Sequence, residues 1–401
     1  MTVLTNARVV LGVTGGIAAY KAADLASKLT QAGALVDVIL TDAAREFIGA
    51  ATFEGLTQRP VHSSVFSAWR PGQYGHVTLA RDAGVVLVAP ATANTIAHLA
   101  SGFADDLLGA AALSTTAPLL IAPAMEHHMF HHPATQANLA ILKGRGARQI
   151  GPLTGRLASG ETGDGRLAST ETLIGEIRRT LGRDGPLRGR HIVVTAGGTH
   201  EALDPVRFLG NRSSGQMGYE IAQAALDAGA AVTLIAGPTT LFAPVGARVV
   251  DVVTSLEMRA AVDAAVKTAD VLIGAAAVAD FRPEQPKRTK MKKKPGQDSI
   301  ELKLIRNPDI LAEAARRGLL KIGFAAETED LIANARDKLL KKGLALIVAN
   351  DAEGTIGSST SEATLIAADG SMVSLPEMPK AAVAAEVMLR LIELIAERDG
   401  V

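Results

Sequence analysis

The stretch from His191 to Gly218 constrains the fold most, because it reads as a strand, a glycine turn and a helix start in immediate succession. His191–Thr195 (HIVVT) is a β-branched run of the kind that forms a buried strand. Gly197 and Gly198 follow, where a strand must turn and backbone N–H groups can face a ligand. A helical pattern begins near Gly215. This order predicts an α/β fold with a ligand site at the turn.

Four polar residues just ahead of that helix favour an anion site. Asn211, Arg212, Ser213 and Ser214 precede the helix N-terminus, where exposed donors and the helix dipole attract a phosphate. Ordinary capping by Ser and Asn is the alternative. We favour the anion site, because Gly, Arg, Asn and paired Ser residues converge at this point.

The chain has 401 residues, which suits two domains. The segment Gly182–Arg190 is rich in Gly, Pro and Arg, and a new strand follows directly. We therefore predict one domain over residues 1–188 and a second over residues 189–401. Strand and helix patterns alternate in both, without a close sequence repeat. Both are expected to be Rossmann-like, doubly wound α/β domains.

Composition excludes several classes of protein. The 41 Lys and Arg residues balance 41 Asp and Glu residues, which gives no support for nucleic acid or an anionic membrane as a partner. The absence of cysteine excludes disulfides, thiolate metal sites and cysteine nucleophiles. The N-terminus lacks the pattern of a signal peptide, and no apolar run is long enough to cross a bilayer. We expect a cytoplasmic protein.

The first half opens with a strand over Arg8–Val13, a turn containing Gly15, Gly16 and Ile17, a helix and a second strand. The turn is not a complete GxGxxG, and Thr41 stands where a dinucleotide site would have an acidic residue. A hydroxyl there suits a phosphate better than a ribose. The pattern favours a mononucleotide such as a flavin over NAD. The alternative is an ordinary glycine turn.

Later polar residues in this half have competing interpretations. Thr92, Asn94 and Thr95 lie at a strand end and helix start, where open α/β sheets bind ligands. His76 stands alone, and a lone histidine is more often structural.

Four histidines, His127, His128, His131 and His132, have spacing that would suit a metal site. Pro133 follows them directly, so no sustained helix is assured. We interpret them as a solvated cap. Residues 155–169 contain several glycines and no helix or strand period, which is typical of a mobile flap.

Together these segments resemble the flavin-dependent phosphopantothenoylcysteine decarboxylases: VTGGIAAYK, the His76 segment, APATANTIAHLASGFADDLL, APAM and GRLASGETGDGR. The resemblance spans residues 6–170 and implies a trimeric, FMN-binding Rossmann-like fold. In that family the flavin oxidises the substrate thiol, CO₂ is lost, and the reduced flavin returns a hydride. Carried over residue by residue, it implies a flavin site at Gly15, Gly16, Ile17, Thr41, Thr92, Asn94, Thr95 and Ala124.

Three residues carry the implied catalytic roles, and two of them depart from the family pattern. His76 occupies the catalytic histidine position. Glu126 replaces the asparagine that often holds the substrate carboxylate, so it must be protonated, ion-paired or different in role. Ser159 replaces a cysteine acid and is a far weaker acid. We hypothesise that Glu126 supplies the proton instead.

The second half contains three further candidate groups. Asp280 follows a buried strand, where it can meet a sugar hydroxyl or a metal, or simply cap a turn. Residues 286–296 (PKRTKMKKKPG) form a basic segment that is either a solvated surface or a loop that closes over a triphosphate. Lys338 and Lys342 are one helical turn apart and could share an anion, although a solvated helix face is the simpler interpretation.

This half resembles the phosphopantothenate–cysteine ligases over residues 190–400, through DPVRFLGNRSSGQMG, GAAAVADF, KMKK, NPDI and GFAAET. The resemblance implies CTP and Mg²⁺, activation of the 4′-phosphopantothenate carboxylate as an acyl-cytidylate, and displacement of CMP by cysteine. It implies that Lys290 stabilises the α-phosphate and that Asn211 acts on the acyl-cytidylate. The implied CTP site consists of Ala275, Ala276, Ala277, Asp280, Lys290, Asn307, Pro308, Asp309, Ile310, Phe324, Lys338 and Lys342.

The two halves together resemble the bifunctional enzymes of coenzyme A biosynthesis. Trimeric decarboxylase contacts and dimeric ligase contacts would generate a large closed homo-oligomer, such as a dodecamer. Two alternatives stay open at this point. One is a CTP-dependent ligase whose FMN-binding half has little or no activity, and the other is a flavoprotein scaffold without turnover. The sequence assigns no metal ligands.

Overall fold

A computed structural model describes residues 2–66, 75–292, 298–327, 330–351 and 357–400 of the chain. Contacts divide it into two compact units, one formed by Val3–Leu181 and the other mainly by Gly182–Val401. The Gly-, Pro- and Arg-rich segment Gly182–Arg190, where we predicted the domain boundary, packs into the second unit. Within that segment Leu187 is fully buried, and its amide donates to the Ala228 carbonyl at 2.8 Å.

The N-terminal unit is built on six parallel strands, as the glycine turn and β-branched runs predict. They are β1 (Arg8–Val13), β2 (Leu35–Leu40), β3 (Val61–His62), β4 (Val85–Ala91), β5 (Leu119–Pro123) and β6 (Arg148–Gln149). Their order across the sheet is β3-β2-β1-β4-β5-β6, with every neighbouring pair parallel. The order reverses between β1 and β4, which is where open α/β sheets place ligands.

Helices cover both faces of this sheet, so the unit is doubly wound. They are α1 (Ala19–Gln31), α2 (Asp42–Arg45), α3 (Ala50–Thr57), α4 (Gly75–Asp82), α5 (Ala93–Ser101), α6 (Leu107–Ser114), α7 (His127–His131), α8 (Pro133–Gly144) and α9 (Thr170–Gly182). One core lies under α1 and α9 and contains Leu25 and Ile177. The other lies under α5 and α6 and contains Ile96 and Leu108. Both cores are aliphatic, in keeping with 3% aromatic residues.

The glycine-rich flap is an antiparallel hairpin, which corrects the prediction that residues 155–169 have no strand. Its strands are β7 (Leu153–Arg156) and β8 (Thr162–Arg166). The amide of Leu157 donates to the Glu161 carbonyl at 2.8 Å and closes the turn between them. Glycines on β8 concealed the strand pattern, because they supply no alternating side chains to read.

The C-terminal unit repeats this arrangement and extends it. Its principal sheet contains β9 (His191–Ala196), β12 (Ala231–Ala236), β13 (Arg248–Asp251), β14 (Val271–Gly274), β17 (Leu320–Glu327), β18 (Leu346–Asp351), β19 (Thr360–Ala367) and β20 (Met372–Pro379). The order is β13-β12-β9-β14-β17-β18-β19-β20, parallel up to β18 and antiparallel beyond it. The switch point lies between β9 and β14.

Smaller elements and helices complete this unit. Two short hairpins stand apart from the principal sheet: β10 (Glu201–Ala202) with β11 (Phe208–Leu209), and β15 (Phe281–Pro283) with β16 (Leu304–Arg306). Residues 298–303, directly ahead of β16, form no strand. The helices are α10 (Gln216–Asp227), α11 (Ser255–Ala265), α12 (Ile310–Glu313), α13 (Leu331–Lys342) and α14 (Lys380–Asp399). None of the helices among the described residues is long and apolar enough to span a bilayer.

Candidate functional sites

A cavity of about 1010 Å³ opens at the switch point of the N-terminal sheet. The turns after β1 and β4 form its base, and the start of α7 and the flap hairpin lie along its edge. Thr14 ties the two turns together, because its buried hydroxyl donates to the Pro90 carbonyl (2.7 Å) and accepts from the Thr92 amide (3.1 Å). The volume is at the upper end of the range for small-molecule sites and suits a large ligand.

Gly15 is required by the close approach of this turn to α2. A Cβ at that position would lie 2.4 Å from the Cβ of Ala43. A Cβ on Gly16 would meet only Thr92 Cγ2, at 3.8 Å. The turn therefore depends on Gly15 for its path and presents backbone at Gly16 to the cavity, as a phosphate or flavin site needs.

Ten of the eleven residues predicted for this half line the cavity. The predicted flavin residues are all there, namely Gly15, Gly16, Ile17, Thr41, Thr92, Asn94, Thr95 and Ala124, and so are Glu126 and Ser159. Two of the threonines also cap helices: Thr41 accepts from the Ala44 amide and Thr92 from the Thr95 amide, both at 3.3 Å. The Thr41 hydroxyl also donates to the Val13 carbonyl at 3.5 Å, and the hydroxyl oxygens of Thr92 and Thr95 lie 3.1 Å apart.

His76 is the predicted residue of the N-terminal unit that does not line this cavity. It lies at the start of α4, directly after residues 67–74, which are outside the described part of the chain. Its Nδ1 atom is buried and has no hydrogen-bond partner among the described residues. Such an orphaned buried nitrogen calls for a partner, so His76 stays a candidate site residue.

Glu126 is held by its own helix. Its carboxylate accepts from the amides of His128 (2.7 Å) and Met129 (3.2 Å), and Oε1 lies 2.9 Å from Nδ1 of His128. Desolvation, the largest single influence, would raise the pKa of Glu126, but these hydrogen bonds outweigh it and the pKa lies below its usual value. Of the three alternatives that the sequence left open, the structure favours pairing. The hypothesis that Glu126 is the proton donor stays a prediction.

Several cavity residues were not predicted from sequence. They include Lys21, Asp42, His98, Asp106, Met129, Arg156 and Arg166. Asp106 caps α6 through a 2.7 Å bond from the Gly109 amide. The two arginines come from the flap and bring positive charge to the cavity edge. Their position could have been found only by recognising β7 and β8 as a hairpin.

A smaller cavity of about 210 Å³ lies beside the switch point of the C-terminal sheet. Eight residues of the predicted CTP site line it, namely Ala276, Asp280, Asn307, Pro308, Asp309, Ile310, Phe324 and Lys342. Thr195 at the end of β9 and Met258 on α11 also line it and were not predicted. Ala275, Ala277, Lys290, Lys338 and Asn211 lie outside its lining.

Main-chain hydrogen bonds hold the loop after β14 against the end of β9 and the loop that follows it. The amides of Ala275 and Ala277 donate to the carbonyls of Thr195 (3.2 Å) and Gly197 (2.8 Å). Asn307, which is 7% exposed, donates to the Ala279 carbonyl at 2.7 Å. Ala275 and Ala277 therefore shape the cavity through main-chain bonds to the loop after β9, while Ala276 faces it.

Lys342 enters the cavity from α13 paired with a carboxylate. Its Nζ lies 3.0 Å from Oδ2 and 3.1 Å from Oδ1 of Asp309. Desolvation, the largest influence, raises the pKa of Asp309, but Lys342 and the Ala312 amide outweigh it and lower the pKa overall. Because Asp309 is then ionised, an incoming phosphate must compete with it for Lys342.

Asn211 is joined to the loop that leads into this cavity. Its Nδ2 donates to the Val278 carbonyl at 2.9 Å, and Val278 lines the cavity. Gly198 allows the backbone of Asn211 to approach the loop after β9 this closely, because a Cβ on Gly198 would lie 2.9 Å from the Asn211 carbonyl oxygen. The predicted acyl-transfer residue thus adjoins the predicted nucleotide loop.

Lys290 belongs to a segment fastened to the loop that carries Asn211. The amide of Met291 donates to Oδ2 of Asp204 at 3.0 Å, and the amide of Lys287 donates to the Leu203 carbonyl at 2.9 Å. This part of the basic segment is therefore anchored, contrary to the picture of a wholly flexible loop. Residues 293–296 of it lie outside the described residues.

The serines ahead of α10 bond to backbone amides two residues further on. Ser213 Oγ accepts from the Gly215 amide at 3.2 Å, and Ser214 Oγ accepts from the Gln216 amide at 3.4 Å. The N-cap residue of α10 is Gly215, and it has no side-chain cap. Both serines are exposed, as are Asn211 and Arg212. The anion site stays a prediction.

Models of two protein families match the chain in succession. The family described as "Flavoprotein" matches residues 2–182. The family described as "DNA/pantothenate metabolism flavoprotein C-terminal domain" matches residues 187–395. The second match alone covers more than half of the chain.

Curated relatives match this chain over nearly its whole length. Coenzyme A biosynthesis bifunctional protein CoaBC of Bacillus subtilis is 43% identical over 399 residues, covering 98% of each chain. The protein of the same name from Mycobacterium bovis is 44% identical over 409 residues, covering 97% of each. A crystal structure of the C-terminal domain of a CoaBC protein is 36% identical and covers 53% of this chain and 100% of that one, with a TM-score of 0.46.

Proposed function

This chain belongs to the family of coenzyme A biosynthesis bifunctional proteins, and we propose that its two units catalyse consecutive reactions. The C-terminal unit joins 4′-phosphopantothenate to cysteine with CTP. The N-terminal unit decarboxylates the product, 4′-phosphopantothenoylcysteine, to 4′-phosphopantetheine with FMN. The observation that carries the proposal is that each half has a cavity at its switch point, lined by the residues expected for that half.

The N-terminal cavity fits FMN on its own features. Its volume of about 1010 Å³ leaves room for a flavin and a substrate arm. We assign the backbone of the Gly15–Ile17 turn and the side chains of Thr41, Thr92, Asn94 and Thr95 to the flavin. When bound, FMN supplies two-electron oxidation of the substrate thiol and the return of a hydride.

The flap and α7 act on the substrate that projects from that cavity. We propose that Glu126 orients the start of α7 and keeps His128 beside the reacting group, because its own carboxylate is committed to hydrogen bonds. His128 offsets the repulsion between Glu126 and the substrate carboxylate when it is protonated. Ser159, in the turn of the flap, positions substrate or water. We keep His76 as a catalytic candidate.

The ligase chemistry requires two anions to meet. The carboxylate oxygen of 4′-phosphopantothenate attacks the α-phosphorus of CTP, and pyrophosphate leaves. The cysteine amine then attacks the acyl carbon, and CMP leaves as the amide bond forms. We propose that Lys290 stabilises charge on the α-phosphate, and that Lys338 and Lys342 hold the rest of the triphosphate. Asn211 donates to the acyl carbonyl without adding charge.

Mg²⁺ would accompany CTP in this site. We infer that the phosphates supply most of its ligands, because groups of three or more His, Asp or Glu side chains with metal-like spacing, among the described residues, occur only in the N-terminal unit. Asp280 is an exposed carboxylate in the lining of the C-terminal cavity, and we propose it as a protein ligand for Mg²⁺. A homo-oligomer with trimeric and dimeric contacts, and a cytoplasmic location, also stay proposals.

One assay separates this proposal from its alternatives. Flavin-loaded protein receives CTP, Mg²⁺, 4′-phosphopantothenate and cysteine, and the products are identified by mass. We expect 4′-phosphopantetheine with release of pyrophosphate and CO₂. Accumulation of 4′-phosphopantothenoylcysteine would support a ligase with an inert N-terminal unit. Absence of pyrophosphate would contradict the ligase reaction, and CO₂ release from supplied 4′-phosphopantothenoylcysteine then tests the decarboxylase by itself.

A further inference from the structure

Three potential metal ligands meet where α7 contacts the flap. His127 and His131 are four residues apart on α7, and Asp164 lies on β8. One candidate ligand atom from each residue lies within 4.8 Å of the others. The ring centroids of the two histidines are 4.5 Å apart. None of the three was assigned a part in either reaction.

The backbone of β8 is shaped to receive these rings. A Cβ on Gly163 would lie 2.7 Å from Nδ1 of His127, so only glycine allows the ring this close. The Asp164 amide donates to the same Nδ1 at 3.1 Å. Nδ1 of His127 therefore acts as a hydrogen-bond acceptor, and an acceptor nitrogen of imidazole is the atom that can bind a metal.

The carboxylate of Asp164 is oriented by two neighbours. Thr154 Oγ1 donates to Oδ1 at 2.5 Å, which leaves Oδ2 facing Nε2 of His131 at 3.1 Å. The bond from Thr154 is the largest of the influences that lower the pKa of Asp164 below its usual value, followed by the contact with His131. An ionised, hydrogen-bonded carboxylate beside two imidazoles is an arrangement typical of metal sites with an outer supporting residue.

We propose that His127, His131 and Asp164 bind a divalent transition-metal ion of the zinc class, which fastens the flap hairpin to α7. Two imidazole nitrogens and one carboxylate oxygen suit zinc, cobalt or nickel better than magnesium or calcium. The ion takes the place of the hydrogen bonds at Nδ1 of His127 and Nε2 of His131. The flap also carries Ser159, so the ion holds one wall of the flavin cavity in place.

A neighbouring group makes a weaker candidate. Glu126, His128 and Glu161 also bring ligand atoms within 4.8 Å of one another. Glu126 already caps α7, and His128 and Glu161 are exposed. A metal there would have to remove the cap, so we place the ion on the first group.

Metal binding is tested on untagged, flavin-loaded full-length protein titrated with Zn²⁺ by calorimetry, without substrates. We expect one ion per chain, and at least ~10-fold weaker binding in His131→Gln and Asp164→Asn. Gln at position 131 can still donate to Asp164, so loss of that hydrogen bond is not the cause. The control is His132→Asn, because His132 only caps α8 through the Ala134 amide and Asn keeps that cap. No binding, or equal binding in all variants, overturns the site.

Fastening of the flap is tested by trypsin, which cuts after Arg156 and Arg166 in the hairpin. We expect Zn²⁺ to slow these cuts several-fold in the unaltered protein and not in His131→Gln. The variant under the same Zn²⁺ concentration controls for any effect on trypsin itself. Zn²⁺ that binds without protecting these two sites would overturn the fastening role. Neither readout depends on the proposed reactions.

Discussion

The two cavities lie at the switch points of two similar sheets, yet they differ in volume and in how many of the predicted site residues line them. The N-terminal cavity measures about 1010 Å³ and already gathers ten predicted residues. The C-terminal cavity measures about 210 Å³, and Lys290, Lys338 and Asn211 lie outside its lining. A site for a resident cofactor benefits from being preformed, whereas a site that must bring two anions together can be completed by its nucleotide. The following predictions test that contrast.

The largest effect is expected from Lys290→Ala. Loss of a cation at the α-phosphate should lower ligase turnover by roughly 10³-fold, measured as pyrophosphate release. Decarboxylation of supplied 4′-phosphopantothenoylcysteine should not change. Lys303→Ala is the matched control, because Lys303 is an exposed lysine paired with Glu284 at 2.9 Å. An equal loss in both variants would contradict a specific role for Lys290.

Asn211→Asp should act after the nucleotide step. A carboxylate cannot donate to the acyl carbonyl, and it also loses the bond to the Val278 carbonyl. We expect amide formation to fall by about 10²-fold while a first burst of pyrophosphate persists. Rapid-quench measurement of both products separates the steps. Equal loss of burst and amide would place Asn211 in nucleotide binding instead.

Glu126→Gln should slow the decarboxylase alone. The variant loses the contact between the second carboxylate oxygen and Nδ1 of His128 but keeps one oxygen for the helix cap, so we expect about a 10-fold fall in CO₂ release. Ser159→Ala should stay within about twofold, because a hydroxyl is a poor acid. Normal CO₂ release by Glu126→Gln would remove Glu126 from the mechanism.

The smallest effect is expected from Asp204→Asn, which loosens the anchor of Lys290. The bond from the Met291 amide is the largest of the influences that lower the pKa of Asp204. A folded-state pKa below the unfolded value means that the stabilisation is present at neutral pH and is lost as pH falls through the folded pKa. We expect the variant to unfold a few degrees earlier at pH 7, and the gap to close in acid. A constant gap across pH would show that ionisation is irrelevant.

Local patterns predicted most of the fold. The bounds of β1 and β9 were predicted to within one residue, because β-branched runs before glycine turns give a strong signal. The hairpin of β19 and β20 was missed, although Asp369–Gly370 between them, with Gly370 at φ +89°, is a turn signal. β7 and β8 were missed because their pairing depends on glycine-rich backbone rather than on side-chain alternation.

Site residues were predictable where they follow strands of the sheet. Thr92 and Asp280 both do, and parallel strands bring their carboxyl ends to one edge. Contacts across separate elements were not predictable. The spacing of the histidines would suit a metal, but we interpreted them as a cap because Pro133 follows them. Their third partner, Asp164, lies 37 residues beyond His127 on a hairpin that the sequence did not reveal. Lys342 was expected to be available to phosphate, and its pairing with Asp309 depends on packing between α12 and α13.

The most direct test of the account is a crystal structure of the full chain with CTP and Mg²⁺. We predict that Lys290 Nζ lies within ~4 Å of an α-phosphate oxygen, that Lys342 has left Asp309 for the triphosphate, and that Asn211 faces the same phosphate. A nucleotide bound in the C-terminal cavity with Lys290 far from its phosphates and Lys342 still on Asp309 would contradict it.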